Sequence, residues 1–199
     1  MRVLVRSTVL MLLILSAAHA ADAEETIVFF RHGEKPSDGL GQLTCQGLNR
    51  ALSLPGVLKS KFATPDYLYA PDPNAKMTDS AGSFYYVRPL ATLEPTAIQA
   101  GRSVNTKYGY TDIAGLQTLL ITSKKANATI FVSWEHAYLQ KIVQAIMNSY
   151  GGGAAVPAWT TGDYDSLYIV KLDYTGSTIS ARFERDSEGL NGLPTTCPN

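Results

Sequence analysis

Apolar residues in this chain fall in short runs separated by turn-forming stretches, and the period inside the runs alternates between strand-like and helix-like. Thr26 to Phe30 is a β-branched and aromatic run that predicts a buried strand. Pro36 to Gln42, rich in Gly, Ser, Asp and Pro, predicts a loop. Thr44 follows as a helix N-cap, with Leu48, Ala51, Leu52 and Leu54 behind it, until Pro55-Gly56 interrupts the helix. Tyr67 to Ala70 predicts a short strand and Pro71 to Phe84 a turn-rich insertion. Pro89 to Ser103 reads as mostly helical, kinked or restarted at Pro95. Asp112 predicts a cap for a helix from Ile113 to about Ser123. Thr129 to Trp134 predicts the next strand, Tyr138 to Tyr150 an amphipathic helix, and Gly151 to Thr161 a loop. Ser166 to Leu172 and Thr178 to Phe183 predict a hairpin across Asp173-Tyr174-Thr175-Gly176.

Strands alternating with helices predict a three-layer α/β/α sandwich with a mostly parallel sheet, the terminal hairpin adding an antiparallel edge. Open sheets of this kind bind ligands outside the carboxyl ends of their strands. Arg31-His32 and His136 both fall at such ends.

Residues 1–20 start basic at Arg2 and Arg6, run apolar from Val9 to Ala17 and end in the small-x-small pattern Ala18-His19-Ala20. The pattern predicts a secretory signal peptide, the apolar stretch being too short for a membrane span; an uncleaved N-terminal anchor is the alternative. Cleavage after Ala20 leaves residues 21–199 as one domain, secreted or periplasmic. The chain carries 17 Lys and Arg against 17 Asp and Glu, and loss of Arg2 and Arg6 tips it slightly acidic. No basic stripe is present to hold nucleic acid or an anionic membrane, so positive charge offered to an anion must be local. In an oxidising compartment Cys45 and Cys197 are expected to be bridged, pinning the tail to the first helix; two unpaired thiols are the alternative.

With His19 in the removable segment, the chemistry rests on two histidines. His32 lies in Ile27-Val28-Phe29-Phe30-Arg31-His32-Gly33-Glu34, and His136 follows Ile130-Phe131-Val132-Ser133-Trp134-Glu135. Two imidazoles at two strand ends, one beside an arginine, point to one pocket for phosphoryl transfer. The planar fork of an arginine makes paired, charge-assisted bonds to a phosphate. A neutral imidazole attacks phosphorus to give a phosphohistidine that water then opens. Neighbouring cations keep that imidazole neutral, and Gly33 allows the backbone close to the ligand. Two histidines, no clustered carboxylates and no Cys-x-x-Cys leave too few ligands for a metal, and no cofactor is expected.

Strand-Arg31-His32-Gly33-Glu34 resembles the signature of the histidine phosphatase superfamily, with its phosphoglycerate mutase-like fold. Leu43-Thr44-Cys45-Gln46-Gly47-Leu48-Asn49-Arg50-Ala51 resembles that family's Leu-Thr-x-x-Gly-x-x-Arg-Ala helix start. Tyr67-Leu68-Tyr69-Ala70-Pro71, then Arg88 and Thr96-Ala97, resembles its second arginine region, and His136 its second histidine. The resemblance implies His32 as nucleophile and Arg31, Arg88 and His136 as the phosphate pocket, His136 stabilising the transferring phosphoryl group. In this chain Pro71 to Val87 is inserted before Arg88, which stands eight positions before Thr96; Arg50 competes for the role but suits a structural ion pair better. The larger acid-phosphatase branch places its general acid directly after the second histidine, where this chain has Ala137. Glu135 is the favoured substitute, with Glu34, Asp163 and Asp165 as the others. The implied activity is a metal-independent phosphomonoesterase acting on a phosphorylated small molecule or phosphoprotein. The alternative is a catalytically weak or inactive phosphate-binding module of the same fold.

Overall fold

Thr26 to Phe30 sits at the centre of a sheet, and its alternate residues supply two separate cores. The computed structural model describes residues 23–122 and 127–198. The signal peptide expected over residues 1–20 lies outside them. The elements in chain order are β1 (Ala23–Arg31), α1 (Cys45–Lys61), β2 (Tyr67–Tyr69), β3 (Lys76–Asp79), β4 (Gly82–Tyr85), α2 (Arg88–Ala100), β5 (Val104–Asn105), α3 (Ile113–Thr122), β6 (Thr129–Trp134), α4 (His136–Tyr150), β7 (Ser166–Thr175) and β8 (Thr178–Ser187). Six strands form one sheet in the order β5-β2-β6-β1-β7-β8. The pairs β5·β2, β2·β6 and β6·β1 are parallel, and β7 and β8 close the other edge antiparallel. The expected α/β sandwich with a mostly parallel sheet is what forms.

A parallel strand covered on both faces must be apolar on both, which is why β1 and β6 read as unbroken runs rather than alternations. Val28 and Phe30 face Leu54 and Leu58 of α1 and Leu93 and Ala97 of α2. Ile27 and Phe29 face Leu120 of α3 and Leu139, Ile142, Val143 and Ile146 of α4. Each such fully buried side chain contributes roughly 1.5–3 kcal/mol relative to exposure. Among the described residues no helix is long and apolar enough to cross a membrane.

Several local expectations are corrected. Helix α1 runs through Pro55 to Lys61 instead of breaking there. Pro55 removes one N–H from the ladder, but Leu54, Pro55 and Leu58 are all buried, and that apolar face holds the helix together. Helix α2 passes Pro95 and stops at Gly101, which takes a left-handed φ of 64°, so Val104 and Asn105 are free to pair with β2. The insertion is a two-stranded hairpin, β3–β4, separate from the main sheet. Helix α4 starts at His136, and the β7–β8 turn falls at Gly176-Ser177, since Thr175 pairs with Thr178. The bridge between Cys45 and Cys197 is present, with Cα atoms 4.4 Å apart.

Candidate active site

Strands β1 and β6 run parallel with Arg31 opposite Trp134, so the residues after both emerge at one edge of the sheet. The His32 backbone N–H donates to the Trp134 carbonyl at 3.3 Å. The His32 ring is buried, with the residue 2% exposed, and its Nδ1 lies 2.7 Å from the Gly33 carbonyl oxygen. A carbonyl can only accept, so Nδ1 carries the proton and Nε2 presents its lone pair. Burial, and after it the Arg31 charge, holds the imidazole well below its ordinary pKa; the Gly33 bond opposes this, while Arg88 and His136 reinforce it. The result is a neutral imidazole with one defined nucleophilic nitrogen.

The backbone around it is fixed by contacts between main chains. Gly33 N–H donates to Thr92 Oγ1 at 2.9 Å, and that hydroxyl donates to the Arg88 carbonyl one helical turn back, also at 2.9 Å. Thr44 caps α1 by accepting from Gly47 N–H, while its own N–H donates to the Glu34 carbonyl at 2.9 Å. A Cβ on Gly33 would stand 2.8 Å from the Gly47 carbonyl oxygen, and one on Gly47 would stand 2.4 Å from that of Glu34. Both glycines are therefore required by close approach, and the loop after His32 is keyed into the first turn of α1.

Two buried guanidinium groups accompany the imidazole. Arg31 is 1% exposed; its Nη1 donates to the carbonyls of Thr161 (2.5 Å) and Asp163 (3.2 Å), and its plane lies 3.8 Å from the centre of the Tyr164 ring. Arg88, also 1% exposed, is the first residue of α2. Its Nη1 donates to the Gly39 carbonyl at 3.1 Å and to Asp79 Oδ2 at 3.0 Å, and its carbon lies 4.7 Å from the centre of the Tyr86 ring. Tyr86 in turn meets the His32 ring edge to face, with centroids 5.9 Å apart. Among the described residues, the Nε–H groups of both arginines are buried with no hydrogen-bonding partner. Such groups are costly to leave unpaired, and their convergence beside a neutral imidazole describes an anion site. His136 opens α4, half-buried, and stands close enough to act electrostatically on His32. Arg31, His32, Arg88 and His136 are thus brought together.

No protein-family model and no curated protein sequence matches the chain. Solved structures do. A mycobacterial glucosyl-3-phosphoglycerate phosphatase with inorganic phosphate superposes with a TM-score of 0.55 at 13% identity, over 80% of this chain and 95% of that one. Phosphoglycerate mutase from Plasmodium falciparum gives 0.53 at 13%, over 89% and 98%. A mutant phosphoserine phosphatase from Entamoeba histolytica, in complex with phosphoserine, gives 0.50 at 12%, over 84% and 98%. The chain has a phosphoglycerate mutase-like fold. It is the fold shared by these two phosphatases and the mutase, and at these identities the likeness is one of fold alone.

Within the phosphoglycerate mutase-like fold, the four carboxylates weighed as general acid are all engaged elsewhere. Glu135 is the N-cap of α4: Oε2 accepts from the N–H groups of Ala137 (2.8 Å) and Tyr138 (3.0 Å), and Oε1 lies 2.5 Å from His136 Nδ1. Burial pushes its pKa up, but His136 and the two backbone N–H groups outweigh that and hold it below the ordinary value. A carboxylate stabilised in this way orients His136 and keeps its charge. Glu34 is turned from the pocket onto Arg50, which holds it through Nε and Nη2. Asp163 accepts from the N–H groups of Asp165 and Ser166 and from the Ser166 hydroxyl, and Asp165 accepts from Leu190 N–H. Arg50 itself is fully buried among Glu34, Asp165 and Glu188, the structural ion pair its helical position suggested.

Sequence reasoning missed Tyr164, Thr92 and Asp79. Thr92 carries a usable signal, four residues after Arg88 and so on the same face of α2. The others arrive by tertiary contact, and no local spacing marks them. The sequence leaves the tyrosines from Tyr67 to Tyr86 open between lining a substrate cleft and covering the sheet edge; Tyr69 is core, Tyr67 and Tyr85 are exposed, and Tyr86 joins His32.

Proposed function

We propose that the chain is a metal-independent phosphomonoesterase that acts through a phosphohistidine on His32. One observation carries this: a neutral, buried imidazole with its Nε2 lone pair free stands beside two buried arginines whose Nε–H groups have no partner among the described residues. Arg31 and Arg88 bind the phosphoryl oxygens, and His136, oriented by Glu135, donates to them as the P–O bond breaks. Among the described residues no group of three or more His, Cys, Asp or Glu is placed to hold a metal ion. The substrate is a phosphorylated small molecule or phosphoprotein outside the cytoplasm. The leader pattern of residues 1–20 and the Cys45–Cys197 bridge support that compartment. Nucleic acid is not a partner in this reading, because 17 basic residues are matched by 17 acidic ones and the sequence carries no basic stripe.

The test is hydrolysis of an aryl phosphate with and without chelator, beside the His32→Ala variant, with rapid acid-free quenching to trap phosphoenzyme. Chelator-resistant turnover is expected. It should fall by about 10³-fold or more in the variant, the scale on which loss of a covalent nucleophile acts. Turnover that survives His32→Ala overturns the mechanism. One observation favours a second reading, a phosphate-binding module with weak turnover: Glu135 is held ionised and so is a poor proton donor. In that case phosphate raises the melting temperature while no substrate is consumed.

A further inference from the structure

The β3–β4 hairpin places one more carboxylate in contact with the pocket. Asp79, the last residue of β3, is nearly buried, with its side chain 7% exposed. Its Oδ2 accepts from Arg88 Nη1 at 3.0 Å and its Oδ1 from Lys35 Nζ at 3.3 Å. The fold makes room for it. Gly39 has a φ of 81°, and a Cβ there would lie 2.0 Å from Asp79 Cγ. The hairpin is fastened to the same loop by Ser80 Oγ donating to the Ser37 carbonyl. Arg88 and Lys35 are the charged groups it touches, and Tyr110 feels its charge from the side of the pocket.

We propose that Asp79 is the proton donor to the leaving group, and that in the empty site its carboxylate holds the place on Arg88 that a phosphoryl oxygen takes. The proposal rests on the phosphohydrolase reading above. Burial pushes Asp79 up, but Arg88 and Lys35 outweigh it and keep it below its ordinary pKa. Glu135 is also held down, first by His136 and then by the backbone N–H groups of Tyr138 and Ala137, which persist through the reaction. Asp79 differs because its main partner is the very guanidinium a phosphate claims. A bound phosphate dianion neutralises Arg88 and sets negative charge beside Asp79, so both changes drive it to take a proton from solvent.

In the first half-reaction His32 Nε2 forms the N–P bond as the P–O bond to the leaving group breaks. The electron pair of that bond stays on oxygen, which takes the Asp79 proton and departs as an alcohol. In the second, water attacks phosphorus and gives its proton to the Asp79 carboxylate. The N–P pair returns to Nε2, and inorganic phosphate is released.

A proton donor matters in proportion to how poorly the leaving group departs unaided. The experiment compares an alkyl phosphate with a series of aryl phosphates in the parent protein and in Asp79→Asn, which keeps shape and hydrogen bonding. Asp79→Asn is expected to lose about 10²-fold or more on the alkyl phosphate. It should lose progressively less as the phenol becomes more acidic, so rate depends more steeply on leaving-group pKa. The basic limb of the alkyl-phosphate pH profile should disappear with it, and Asp79→Glu should restore part of both. Equal losses on all substrates, in a variant whose melting temperature matches the parent, overturn the assignment while leaving the phosphohistidine mechanism standing. A parent that forms no phosphohistidine and turns over none of the substrates overturns both.

Discussion

His32 is useful because it stays neutral, and two causes act together to keep it so: its burial and the guanidinium of the residue before it. The folded imidazole is held well below the ordinary value of 6.5, whereas in the unfolded chain it protonates near that value. Below about pH 6.5 the unfolded state therefore binds a proton that the folded state refuses, so this residue makes stability fall on acidification. Nitrogen NMR of the imidazole should show Nδ1 protonated and Nε2 bare, unchanged from pH 8 to well below 6.5; a midpoint near 6.5 would contradict the site as described. Thr92 acts at the same scale. Replacing it by Val leaves the buried Gly33 N–H without an acceptor, at a cost of about 1–3 kcal/mol measurable by denaturant unfolding. The contiguous Arg31-His32-Gly33 was legible in the sequence because chemistry and backbone come from adjacent residues. Tyr164 and Asp79 were not, because each reaches His32 or an arginine only through the fold.

Among the elements, the strands of the main sheet were legible except for the two-residue β5, and the separate β3–β4 hairpin was not. β1 and β6 show as apolar runs since both faces need covering. β5 is two residues long with one apolar side chain, too little pattern to read. β3 and β4 pair only with each other, and residues on both their faces are partly or fully exposed, so no apolar alternation marks them. Pro55 misled for a related reason: a local rule about missing N–H groups yields to the burial of three neighbouring side chains. The α1 start was legible through Thr44, and its cap is also the lock on the loop after His32. Thr44→Ala should cost about 1 kcal/mol in unfolding free energy and should lower kcat more than it raises KM, since the loop carries the nucleophile.

At the scale of the whole molecule, one guanidinium joins three distant segments. Arg50 binds Glu34 from the loop after β1, Asp165 from the loop before β7 and Glu188 from the segment after β8. Three carboxylates on one cation exceed its charge, and burial pushes Glu188 up to about 8, Arg50 only partly offsetting it. The unfolded value is near 4.5, so stability from this group is whole below that pH and is lost as pH rises through about 8. Glu188→Gln should flatten the fall of melting temperature over that interval, while Arg50→Met, which strands buried carboxylates, should cost about 3–5 kcal/mol. The disulfide closes a span of 152 residues, and its reduction should cost about 4–5 kcal/mol on a chain-entropy estimate. These closures also set a schedule. A ribosome that has reached Tyr150 has already made Arg31, His32, Arg88 and His136, but the Thr161 carbonyl and Tyr164 that seat Arg31 are still unmade. Glu188 and Cys197, which brace the helix beneath the histidine loop, come later still. On the proposed mechanism the nascent chain therefore carries His32 in an unassembled site and is expected to stay inactive until almost all of it has been synthesised.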